Sequence, residues 1–420
     1  MRIALLSGAA VLALVLVGLN FSAGEKRVTR QLERRYDVTD PSFERALDAL
    51  LGPGIVAGNQ IDALLNGEQI FPAMLDAIKQ AKRSITFETY IYWSGSIGRE
   101  FVDALSERAR AGVHVHVLLD WLGSVKMEDR FIDEMRETGI EVERYHEPTW
   151  WQLARLNNRT HRKLLVVDGE TGFTGGVGIA DPWRGHAQDP EHWRDSHFRI
   201  QGPVVAQVQA TFMDNWTKAT GHVLHGDDYF PPLEEAGGLR AQMFSSSPSA
   251  GSDRMHLMYL MAITAAGRTI RLSTPYFVPD ELSEQALIAA ARRGVKVQLI
   301  LPGKEIDTDV VRSASRARWG PLLEAGIEFY EYQPTMYHCK VLVVDEFLTS
   351  VGSTNFDNRS FSLNDEANLN VFDAAFAARQ VAVFEQDLQR AQRVTLEQWR
   401  NRPLSEKLIE PLVEMTSPAL

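Results

Sequence analysis

The chain has 420 residues, enough for more than one domain, and 45% of them are apolar, so a large core is within reach. A formal charge of −11 argues against broad electrostatic capture of nucleic acid, although a small anion can still meet a locally basic site. The one cysteine, Cys339, excludes an intrachain disulfide and a thiolate metal cluster.

Ile3–Phe21 is apolar apart from Ser7, Gly8, Gly18 and Asn20. As a helix it would be roughly 28 Å long, enough to span a hydrocarbon core. A signal peptide is the rival reading, but cleavage after Ala23 would put Phe21 where a small residue is wanted. That favours an uncleaved anchor over residues 1–24. Lys26, Arg27, Arg30, Arg34 and Arg35 follow the run and only Arg2 precedes it. The positive-inside rule then places the bulk of the chain in the cytoplasm. Residues 25–57 read as a charged helical spacer.

From there the chain repeats itself. AIKQAKRSITFETYIYW and FVDALSERARAGVHVHVLLD, within 77–120, match AITAAGRTIRLSTPYFV and ALIAAARRGVKVQLILP, within 262–302. Each pair reads as helix, strand, helix, glycine stop, strand, with Gly112 and Gly294 as helix caps. The chain is thus a tandem of two similar α/β halves, residues 58–224 and 239–420, joined by an acidic, turn-rich linker at 225–238. His114 and His116 alternate on one strand, but their counterparts are Lys296 and Gln298. An outward strand face therefore suits them better than a metal site, and no metal or cofactor is expected.

THRKLLVVDGETGFTGG (160–176) and YHCKVLVVDEFLTSVGS (337–353) share one layout. In a strand, residues i and i+2 point the same way, so His161 projects with Lys163 and His338 with Lys340. A neutral imidazole beside an ammonium repels metals, but it makes an anion site with a nucleophile or proton carrier built in. Seven residues of strand span roughly 23 Å, so Asp168 and Asp345 read as strand-end residues that hold the motif. Cys339 lies between His338 and Lys340, on the opposite face. A catalytic histidine usually needs a carboxylate on its other nitrogen. Asp195 in HWRDSHF and Glu366 in NDEANL are the choices, Asp195 for His161 and Glu366 for His338.

Two copies of H-x-K-x4-D, each with the same spacing to a glycine, resemble the phospholipase D superfamily. NGEQIFPAMLDAI, TYIYW, WRDSHFRIQGPVV and GSTNFDNRSFSLNDE narrow the resemblance to the bacterial cardiolipin synthases. The resemblance implies two similar halves, each a mixed, mostly parallel β-sheet flanked by helices, with one active site between them. It implies catalysis by His161, Lys163, Asp168, His338, Lys340, Asp345, Asp195 and Glu366, with no cofactor. His161 would form a phosphohistidine, and His338 would serve as acid and base. Lys163, Lys340, Asn355 and Arg359 would bind the substrate phosphate and headgroup. The substrate would be phosphatidylglycerol, and the setting a bacterial inner membrane. One departure stands out: Gly178 occupies the position of Asn355 in the other half. Trp150 and Trp151 suggest a lipid-facing entrance. Hydrolysis to phosphatidic acid, a nuclease and a membrane-tethered scaffold are the alternatives.

Overall fold

The computed structural model describes residues 28–147, 158–247, 253–403 and Lys407. The expected anchor at Ile3–Phe21 and the Trp150–Trp151 pair lie outside them. Among the described residues no helix is long and apolar enough to cross a membrane.

The first half contributes β1 (Val56–Leu65), β2 (Ser84–Thr89), β3 (His114–Asp120), β4 (Glu141–Tyr145), β5 (Arg159–Thr160), β6 (Leu164–Val167), β7 (Thr171–Gly175) and β8 (Ser196–Gln201). The second contributes β9 (Leu239–Ser246), β10 (Thr269–Ser273), β11 (Phe277–Val278), β12 (Lys296–Pro302), β13 (Glu328–Tyr332), β14 (Val341–Val344), β15 (Leu348–Gly352), β16 (Phe356–Asp357), β17 (Asn364–Phe372) and β18 (Ala391–Val394). One sheet runs through both halves, joined at its middle by the antiparallel β9–β1 pair. Outward from that seam the order is β1-β8-β7-β6-β2-β3-β4 on one side and β9-β17-β15-β14-β10-β12-β13-β18 on the other. Apart from β18 the two sides match strand for strand, so the repeat in sequence is a repeat of topology.

The sheet is mixed, but it is not mostly parallel. Along this order only β2–β3–β4 and β10–β12–β13 pair in parallel. The other pairings are antiparallel, because tight turns at Asp168 and Asp345 fold β6 back on β7 and β14 back on β15. The parallel strands need crossovers, which the helices Ser96–Arg110 and Glu281–Arg292 supply. The first buries Ile97, Phe101, Val102 and Leu105, one stripe at helical spacing. Gly112 (φ 91°) and Gly294 (φ 92°) end these helices in the left-handed region, where a side chain would be strained.

Within the spacer, Asp40 caps the helix Pro41–Leu51. Its Phe43, Leu47 and Leu51 join the core around Met255 and Met258 of the helix Arg254–Ala265. In the linker, Tyr229 closes over β3, its hydroxyl 2.8 Å from His116 Nε2. His116 is therefore buried under Tyr229 and Trp216, while His114 stays exposed. The outward-face expectation fails for His116, because a strand face cannot show that a linker will cover it. Among the described residues no group of three His, Cys, Asp or Glu could hold a metal.

Asp168 and Asp345 lie at the hairpin tips, both with positive φ. The Asp168 carboxylate accepts the backbone N–H groups of Lys82, Arg83 and Ser84. Asp345 does the same for Gly267, Arg268 and Thr269. Each clamps its hairpin to the start of the neighbouring strand, and neither lines the cavity described below, which corrects the catalytic place that the family resemblance gave them to a structural one. Asp168→Ala and Asp345→Ala should each lower stability by about 2–3 kcal/mol, because charge-assisted bonds vanish and N–H groups lose their partner. An unchanged denaturation midpoint in both variants would remove the clamp role.

Candidate active site

The segments leading into β6 and β14 hold the two His-x-Lys pairs. Neither segment is in its own half's sheet at that point. Arg159–Thr160 of β5 pairs in parallel with Asn364–Asp365 at the start of β17, and the His161 N–H donates to the Asp365 carbonyl at 2.9 Å. Reciprocally, Arg194 bridges Tyr337, and the His338 N–H donates to the Arg194 carbonyl at 2.8 Å. Each histidine segment is thus stitched to the segment of the other half that carries a carboxylate.

The side chains follow the backbone. His161 Nδ1 lies 3.0 Å from Glu366 Oε1, and His338 Nδ1 lies 2.7 Å from Asp195 Oδ2. This corrects the expected same-half pairing of Asp195 with His161 and Glu366 with His338. Both carboxylates are fully buried. An ionised carboxylate only accepts, so each Nδ1 carries the proton and each Nε2 keeps a lone pair.

The carboxylates are oriented in turn. Trp183 Nε1 and the Ser196 N–H donate to Asp195 at 2.9 and 2.8 Å. A Cβ on Gly176 would sit 2.2 Å from Asp195 Oδ1, so glycine makes the room that this carboxylate occupies. In the other half the matching position is Ser353, whose hydroxyl donates to Glu366, and Asn364 Nδ2 donates to Glu366 from 3.2 Å. Gly178 is also sterically set. A Cβ there would meet Ile91 Cβ at 2.7 Å. An asparagine to match Asn355 has no space in the first half as it stands.

Lys163 Nζ and Lys340 Nζ each donate to the carbonyl of their own histidine, at 2.6 and 2.7 Å. Lys340 Nζ also lies 3.1 Å from His338 Nε2. Burial, with the neighbouring ammonium groups, outweighs the carboxylates and pushes the imidazoles down, to about 4 for His161 and about 3 for His338. Burial likewise lowers Lys163 to about 7, helped by Lys340, and lowers Lys340 to about 8. Burial opposes ionisation of Asp195 and Glu366, but the imidazoles, lysines and donors hold both below the ordinary carboxylate range. The site therefore holds two neutral imidazoles, two carboxylates and two lysines that titrate near neutral pH.

His161, Lys163, His338, Asn355 and Arg359 all line one cavity of about 460 Å³. Asp168 and Asp345 lie away from it, and Cys339 turns towards Ser196 and the Arg194 carbonyl. Lys126, Arg159, Trp183 and Asp307 also line the cavity and escaped the reading of the sequence, whereas Tyr276, Asp357 and Asn364 lie within RLSTPYFV and GSTNFDNRSFSLNDE. Tyr90, Ile91 and Trp93 lie within the quoted TYIYW, and Trp193 adjoins Asp195, so proximity to these stretches was their available signal.

The family described as "Cardiolipin synthase, PLD-like domain" matches residues 74–216 and 259–388. The chain is 35% identical over 365 residues to the major cardiolipin synthase ClsA of Bacillus subtilis, covering 86% of this chain and 76% of that one. It is 34% identical over 379 residues to cardiolipin synthase A of Pseudomonas syringae, covering 90% and 78%. Among solved structures, a phosphatidylserine synthase of Haemophilus influenzae superposes with a TM-score of 0.71 at 15% identity, over 91% of this chain and all of that one. That likeness concerns the fold alone.

The crossed pairing makes a directional prediction. Glu366→Gln should move the ring ¹H–¹⁵N signal of His161 and leave that of His338; Asp195→Asn should do the converse. Each should cut turnover by roughly 10²–10⁴-fold, through a lost tautomer and orientation. If Glu366→Gln disturbed His338 instead, the pairing within each half would be restored.

Proposed function

The chain belongs to the cardiolipin synthase family of the phospholipase D superfamily, and from that premise we propose a reaction for its cavity. It is a phosphatidyltransferase acting on phospholipid. The donor is phosphatidylglycerol, and a second phosphatidylglycerol is the acceptor, giving cardiolipin and glycerol. The observation that carries this reading is the meeting of His161, Lys163, His338 and Asn355 at one cavity, with a carboxylate behind each histidine. One phosphodiester can engage these four.

His161 Nε2 attacks phosphorus, and the bond from phosphorus to the headgroup oxygen breaks. His338 delivers a proton to that oxygen, and glycerol leaves. His338 then takes a proton from the incoming headgroup hydroxyl, whose oxygen displaces His161. Lys163, Lys340 and Asn355 stabilise charge on the non-bridging oxygens. Arg359 reaches the headgroup. Entry of an anionic phosphate favours the charged forms of the lysines and imidazoles, which supplies the proton that His338 needs as acid. The assignment of roles draws support from the asymmetry between the halves, with Gly178 in the first where the second has Asn355, and from the family resemblance.

Residues 1–24 tether the enzyme to the inner membrane of a bacterium, with the catalytic part on the cytoplasmic side. The apolar run Ile3–Phe21 and the basic residues after it support this. At the bilayer, acceptor lipid is concentrated and water is scarce, which favours transfer over hydrolysis.

Purified full-length protein given vesicles of phosphatidylglycerol alone should yield cardiolipin and glycerol, with little phosphatidic acid. Acid-labile phosphate should be trapped on His161, and His161→Ala and His338→Ala should each abolish turnover. Predominant phosphatidic acid would assign the enzyme to hydrolysis, and label on His338 alone would exchange the two roles.

The lysines give a pH dependence with a definite sign. With Lys163 at about 7 and Lys340 at about 8 before substrate binds, the phosphate-binding cations are lost as pH rises through that range. KM should therefore climb from about pH 7 upward, and Lys163→Arg should defer the rise. A KM that is flat across this range would show that neither lysine changes charge before substrate binds.

A further inference from the structure

The cavity has an aromatic wall beside His338. Trp93, Trp183 and Trp193 all line it, with the Trp183 and Trp193 ring centroids 4.5 Å apart. Trp193 lies 5.7 Å from the His338 ring, centroid to centroid. Ring faces are the negative ends of quadrupoles, so such a wall is suited to receive an ammonium headgroup. Here that position is filled from within. Lys126 Nζ lies 4.0 Å from the centroid of the Trp93 ring.

This arrangement is built rather than incidental. Asp120 Oδ1 accepts the N–H groups of Leu122 and Gly123, which fixes the loop that carries Lys126. Trp93 Nε1 donates to the Gly123 carbonyl at 3.2 Å, and the Ser94 N–H donates to the Lys126 carbonyl at 3.2 Å. The ring and the lysine are therefore tied to each other through backbone as well as through the cation–π contact. The acids of the same loop are committed elsewhere: Asp120 to those amides, and Glu128 to Arg130. The charge of Lys126 is left to act on what enters the cavity.

We propose that Lys126, seated on Trp93, sets headgroup selectivity by excluding phospholipids whose headgroup ends in an ammonium and admitting those whose headgroup ends in hydroxyls. The inference rests on the phosphatidyl-transfer reaction proposed above and deepens it. A second ammonium brought to this wall would lose the Trp93 face, which Lys126 already occupies, and would meet a like charge. A hydroxyl headgroup meets no such repulsion. Discrimination then comes from what is repelled, without any special contact to the accepted lipid.

The test uses the full-length protein in vesicles of equal phosphatidylglycerol and phosphatidylethanolamine, with released glycerol and ethanolamine measured together. Lys126→Ala should raise the ratio of ethanolamine to glycerol about tenfold, the effect of one modest specificity contact. Lys126→Arg should hold the ratio near that of the wild type. An unchanged ratio in Lys126→Ala overturns the proposal. Should that variant fail to turn over, tryptophan fluorescence titration replaces activity. Dihexanoyl phosphatidylethanolamine and dihexanoyl phosphatidylglycerol are compared on His161→Ala with and without Lys126→Ala. A shift of the affinity ratio towards the ethanolamine lipid supports the selector, and an unchanged ratio overturns it. Absence of cardiolipin from wild-type protein on phosphatidylglycerol alone would defeat the transfer reaction, while the binding ratio would still report on Lys126.

Discussion

Two backbone hydrogen bonds govern this structure: His161 N–H to the Asp365 carbonyl, and His338 N–H to the Arg194 carbonyl. They exchange partners between the halves. Neither half contains a histidine with its carboxylate, so neither holds a complete proton-transfer unit. The β9–β1 seam makes the exchange possible by fixing the halves in one sheet, so that the start of β17 meets β5 and Arg194 meets Tyr337. Everything at the cavity depends on that registry.

The same registry resolves an electrostatic problem. Two lysines and two carboxylates are buried together, and isolated charges there would be expensive to desolvate. The groups compensate one another, and Trp183, Ser196, Ser353 and Asn364 satisfy the carboxylate oxygens. Compensation is incomplete on the lysine side, where the two ammonium groups oppose each other. The halves are related by pseudo-symmetry but differ where it counts. Gly176 corresponds to Ser353 and Gly178 to Asn355, and Lys340 Nζ lies about 3 Å from both nitrogens of the His338 ring.

Much of this was legible in the sequence. The paired motifs announced the repeat, and equivalent spacing to the glycines announced matching hairpins. The distance along a strand was enough to separate Asp168 and Asp345 from the chemistry. Two things were not legible. The crossed pairing depends on strand registry between halves, and Asp195 and Glu366 hold equivalent places in their own halves, so sequence order cannot say which crosses. Trp183 and Lys126 come from loops with no repeat partner to flag them. The excess of antiparallel pairing could have been anticipated, because Asp168–Gly169 between two apolar runs is a hairpin signal. The helix-and-strand pattern outweighed it.

The crossed pairing also has a consequence for the order in which the protein comes into being. His161 and Glu366 are separated by 205 residues, and His338 and Asp195 by 143. A ribosome releases the whole first half with His161, yet that histidine has no carboxylate to set its tautomer until β17 has emerged. Contacts of such long range close late in folding. A chain cut short of β17 would carry His161 without the carboxylate that orients it, however well its first half has folded. The orientation of that one ring certifies that synthesis reached β17 and that the two halves closed into one sheet.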